Sequence, residues 1–87
     1  MEGISKSLMA VANDIAEGFI TVNPIFLKKF SEKQLKELLE ALIKKEKQVR
    51  AEPFPFNEPL LIRKRNLKIQ RLYQAQVVVK NFIEGRI

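Results

Sequence analysis

The chain has 87 residues, 16 lysines and arginines against 10 aspartates and glutamates, a formal net charge of +6, and neither histidine nor cysteine. That length confines it to one domain, expected to be helical over 1–87, and the missing cysteine excludes a disulfide framework and thiol chemistry. Without histidine or cysteine the commonest general bases and nucleophiles are gone, so the chain reads as non-enzymatic, with no cofactor and no small-molecule substrate indicated.

The charge is unevenly placed. Residues 1–58 hold as many bases as acids. Residues 59–87 carry Arg63, Lys64, Arg65, Lys68, Arg71, Lys80 and Arg86 against Glu84 alone, so they hold the entire net charge. A basic block beside a neutral body points to an anionic partner. No secretory signal is evident, and no apolar run approaches the roughly 20 residues of a membrane span. These features fit a cytoplasmic protein, and the charged fraction of 30%, mostly lysine and glutamate, has a thermophilic cast.

In chain order, Ile4, Leu8, Val11, Ile15 and Phe19 recur at helical spacing and predict a helix over 4–19, with Gly18 weakening its end. Asn23-Pro24 then supplies a cap and a first-turn proline for a short helix over 24–30. Ser31 with Gln34 makes a capping box for a third helix over 32–49, whose apolar stripe is Leu35, Leu38, Leu39, Leu42 and Val49. Its outer face alternates Glu32, Lys36, Glu40 and Lys44, with Glu46 and Arg50 repeating the pattern, as solvated ion pairs do. Residues 51–58, with Pro53-Phe54-Pro55-Phe56, predict an extended connection, the two phenylalanines pinning it to the core. Asn57 before Pro59 predicts another cap.

The remaining segment predicts one long helix over 58–84, ended by Gly85. A hairpin is the competing reading, given Val77, Val78 and Val79. As a helix it places Ile62, Arg65, Ile69, Leu72, Gln76, Val79 and Ile83 on a heptad seam. About 26 residues give a rod of roughly 39 Å, longer than its partners, so part of it must kink, with Asn66 the expected site, fold back or meet another subunit.

The fold expected is therefore all-α: a small antiparallel bundle of three to four helices with a long C-terminal helix. Its core should hold Leu8, Val11, Ile15, Phe19, Phe26, Leu35, Leu38, Leu39, Leu42, Ile69, Leu72, Val79 and Ile83, with Tyr73 at its edge. Two functions of different class fit. In one, Lys64, Lys68 and Arg71, spaced four and three, line up with Arg63 as a basic face that follows a polyanion, most plainly nucleic acid, without reading sequence. In the other, the last helix associates with a protein partner or a second copy through Arg65, Gln76, Val79 and Ile83. Gln76 also fits a satisfied core amide, and Arg65 a snorkelling side chain.

Weaker signals lead nowhere firm. Asp14 and Glu17 share a helical face, but two carboxylates make a poor cation site, and no metal is expected. The third helix neutralises its own charge, unlike the reading helix of a helix-turn-helix. Few aromatics are available to stack single-stranded bases. An anionic membrane surface would need an apolar face that the core already claims.

Overall fold

The computed structural model describes residues 7–85, and every described element is helical: α1 Leu8–Glu17, α2 Pro24–Leu27, α3 Glu32–Ala51 and α4 Pro59–Gly85. The hairpin reading of the last segment is thereby excluded. Ile4 lies outside the described residues.

Local chemistry sets the boundaries. The Ser7 hydroxyl accepts from the Ala10 amide at 3.1 Å and opens α1. Gly18 closes it at φ +86, with its amide donating to the Ile15 carbonyl and the Phe19 amide reaching back to Asp14 at 2.9 Å. This left-handed turn satisfies the terminal carbonyls. It also takes Phe19 off the apolar stripe. Phe19, expected in the core, is 79% exposed, because helical spacing stops counting where the backbone leaves the helix.

Asn23 accepts from the Phe26 amide at 2.9 Å, and Pro24 stands in the first turn of α2. That helix ends at Leu27, short of the expected 30. Ser31 must adopt extended backbone (φ −71, ψ 165) to start α3. Its hydroxyl accepts from Gln34 at 3.1 Å while the Gln34 side chain accepts from the Ser31 amide at 2.9 Å. Asn57 does not cap α4. It turns the chain at φ 64, a region asparagine tolerates, and the Glu58 carbonyl receives the first helical bond from Ile62.

The core gathers Val11, Ala12, Ile15 and Ala16 of α1, Leu27 and Phe30, Leu35, Leu38, Leu42 and Val49 of α3, and Leu72, Ala75 and Val79 of α4. Leu8, Phe26, Leu39, Ile69 and Ile83 pack against its margin. The principal packing joins α3 to α4, and α1 lies against both. The short connection at 52–58 makes α3 and α4 antiparallel neighbours. The molecule is elongated, 45 × 25 × 19 Å, and α4, at about 40 Å, is its longest described element.

Candidate functional site

The long helix is used unevenly. Its buried residues are confined to Leu72, Ala75 and Val79, and none of positions 59–71 is buried. The amino-terminal half of α4 therefore runs past the helices that cover the other half. Leu60, Leu61 and Ile62 follow one another about 100° apart, so they spread over about 200° of the rod and no single neighbour can cover all three. Leu60 is 75% exposed and Leu61 43%.

The connection shields one side only. Phe54 and Phe56 meet edge to face at 5.1 Å between centroids. The Arg65 guanidinium lies 5.3 Å from the Phe54 ring, a distance suited to cation–π attraction. Arg65 is half-buried and its Nε, out of reach of solvent, meets no hydrogen-bond partner among the described residues. The phenylalanines thus pack on each other and on Arg65. The expected pinning to the core does not occur, and Phe56 is 75% exposed.

The four cations proposed from sequence as a basic face separate into two pairs. Arg63 and Lys64 are exposed and make no ion pair or hydrogen bond among the described residues. Lys68 reaches Glu17 at 3.3 Å. Arg71 Nη1 donates to the Ala16 carbonyl oxygen at 3.0 Å, and its guanidinium lies over Gly18. Lys68 and Arg71 therefore serve the carboxyl end of α1, where a helix dipole favours cations. Of the pair Asp14 and Glu17, Glu17 is turned to this contact. Among the described residues no cluster of three potential metal ligands forms.

The four residues proposed for association also divide. Val79 is fully buried in the core, and Ile83 packs against the core's edge. Gln76 Nε2 donates to Glu46 Oε1 of α3 at 2.6 Å, and Glu46 also pairs with Arg50 at 2.8 Å. Gln76 is thus the satisfied amide of the seam, which the chain closes upon itself. Tyr73, expected at the core edge, is 59% exposed.

Sequence reasoning missed the apolar end formed by Phe54, Phe56, Leu60 and Leu61. The signal available was Leu60-Leu61-Ile62, three consecutive apolar residues in a segment read as helical, which no one-sided packing can bury.

Comparison with family models, with curated proteins and with solved structures gives no match. No described helix is long and apolar enough to cross a membrane.

Proposed function

We propose that the chain is a non-enzymatic helical binding module whose partner is a polyanion, with nucleic acid the first to test, contacted through the exposed amino-terminal half of α4. The observation that carries this reading is the absence of any carboxylate at positions 59–83, next to two cations, Arg63 and Lys64, that the fold leaves unused. The amides of Gln70 and Gln74 continue the exposed surface as neutral donors. Each neutralised phosphate releases condensed counterions, so the salt dependence counts the cations engaged.

Gel shifts with duplex and single-stranded probes over a salt series test it. If Arg63 and Lys64 alone engage duplex DNA, log K falls against log salt with a slope of about −1.8, and if Lys68 and Arg71 leave α1 to join them the slope is about −3.6. Replacing Arg63 and Lys64 by glutamine should abolish the shift. Undiminished binding by that variant would exclude the reading.

A second reading, a protein-interaction module, is favoured by the exposed Phe56, Leu60 and Leu61, which a phosphate backbone leaves uncovered. A photo-crosslinking residue placed at Leu60, compared with the same residue at Lys36, tests it in cells. Equal adduct formation at the two positions would exclude it.

A further inference from the structure

Residues 18–24 lie alongside the second half of α4, and two clefts open between them. The first, of about 220 Å³, has apolar walls from Ile15, Ile20, Val22, Ala75 and Val78, with Thr21, Gln74 and Arg71 supplying its polar side chains. The second, of about 510 Å³, is lined by Pro24, Val78, Asn81, Phe82 and Gly85. Val78 belongs to both, so the clefts lie end to end. Along α4 their residues recur at 71, 74, 75, 78, 81, 82 and 85, the spacing of one helix face. From Arg71 to Phe82 that face runs about 16 Å.

Charge decides the chemistry of the occupant. Arg71 alone among these lining residues is charged, in a chain of which 30% is charged. Its Nη1 donates to the Ala16 carbonyl at 3.0 Å. Its Nε and Nη2 have no hydrogen-bond partner among the described residues, and neither is sealed from solvent. Those two nitrogens form one edge of the guanidinium, the edge that grips a carboxylate through two parallel hydrogen bonds. Glu17 is taken by Lys68 and lines neither cleft. The carbonyls at the end of α1, which would repel an anion, are engaged: Phe19 bonds Asp14, Gly18 bonds Ile15 and Arg71 bonds Ala16. A half-buried cation with a free bidentate edge therefore selects a carboxylate.

Beyond Arg71 the groove turns apolar. An extended chain covering its length has about a dozen bonds, at about 1.2 Å each. A peptide of that length would bring about five N–H and five C=O groups into it. The side chains able to meet them are Thr21, Gln74 and Asn81. An alkyl chain brings none. A phosphate backbone would leave Val78 and Phe82 uncovered.

We propose that this groove binds a monomeric aliphatic carboxylate of about ten to fourteen carbons, its head on the Nε–Nη2 edge of Arg71 and its chain along Val78 to Phe82. The site goes beyond the polyanion reading, which uses Arg63 and Lys64, and does not depend on it.

Chemical-shift titration of the intact, isotope-labelled chain with hexanoate, octanoate, decanoate and dodecanoate, below their micelle concentrations, tests it. Dodecanoate, with about fourteen non-hydrogen atoms, should bind with a dissociation constant on the order of 1 mM. Shifts should concentrate at Gly18, Thr21, Gln74, Val78 and Phe82. In a groove open along one side, affinity should rise about twofold per methylene, half the effect of full burial on a logarithmic scale. Arg71→Gln should weaken all four ligands by about tenfold. Because that variant also loses its bond to Ala16, Asn81→Asp at an exposed position provides a second arm. A carboxylate beside the tail should weaken dodecanoate by about threefold or more. Hexanoate, which ends about 6 Å from its head, should be unaffected. Arg63→Gln/Lys64→Gln removes two charges from the same helix and should bind dodecanoate as the parent does. Affinity independent of chain length would overturn the proposal, as would undiminished binding by Arg71→Gln or equal losses for hexanoate and dodecanoate in Asn81→Asp. Tighter binding of an apolar pentapeptide with a free carboxyl end would assign the groove to a peptide and overturn it too. None of these outcomes bears on the gel shifts, so this inference and the polyanion reading fail separately.

Discussion

Substituting Gly18 by alanine tests the assignment of Arg71 to the fold. An added Cβ would lie 2.9 Å from Arg71 Cζ and 3.2 Å from its Nη1. Two costs follow. At φ +86 a residue with a Cβ is strained by about 1–2 kcal/mol. The guanidinium, being the end of a flexible side chain, can move aside, but then loses its bond to the Ala16 carbonyl, worth about 1 kcal/mol at this half-buried position. Gly18→Ala should therefore cost about 2–3 kcal/mol, a fall in Tm of about 10–20 °C for a domain of this size. In an Arg71→Ala background only the backbone strain remains, and the same substitution should cost about 1–2 kcal/mol. The assay is urea unfolding of the four proteins of this cycle, followed by circular dichroism. The expected coupling of about 1 kcal/mol exceeds the 0.3–0.5 kcal/mol within which independent sites add. Additivity within that margin would refute the role given to Arg71.

Other substitutions separate fold from surface. Val79→Asp buries an unpaired carboxylate in the core and should abolish cooperative unfolding, costing more than about 4 kcal/mol, visible as lost helical signal at 25 °C. Ser31→Ala removes the hydroxyl of the α3 capping box and should cost about 1 kcal/mol, read as a Tm lower by about 4–8 °C. Lys68→Ala breaks a contact with Glu17 that is substantially solvated, and should change stability by no more than about 0.5 kcal/mol. Gln76→Ala leaves Glu46 with Arg50 as its partner and should cost about 1 kcal/mol in urea unfolding, with the loss absent in a Glu46→Ala background.

What the sequence disclosed was whatever depends on neighbours along the chain. The caps at Asn23 and Ser31, the Pro-rich connection and the extent of α4 within a residue at each end were all legible, because caps and turns are decided within four residues. The inward seam was legible too, including its two polar members: Gln76 finds Glu46, and Arg65 is half-buried with its guanidinium against Phe54. Contacts across the fold were not. No local pattern says that Arg71 reaches Ala16, or that Lys68 reaches Glu17. Phe19 was misplaced because helical periodicity was extended one residue beyond the glycine that ends it.

The clasp of Arg71 on the end of α1 joins residues separated by 55 positions. During synthesis, α1 emerges long before the strand of chain that will secure it. With ten residues, it is below the length at which an isolated helix persists in water. It must stay provisional until α3 and the middle of α4 have been made, and then set together with them. A fragment stopping short of position 71 would thus lose order at the opposite end of the sequence, far from the cut.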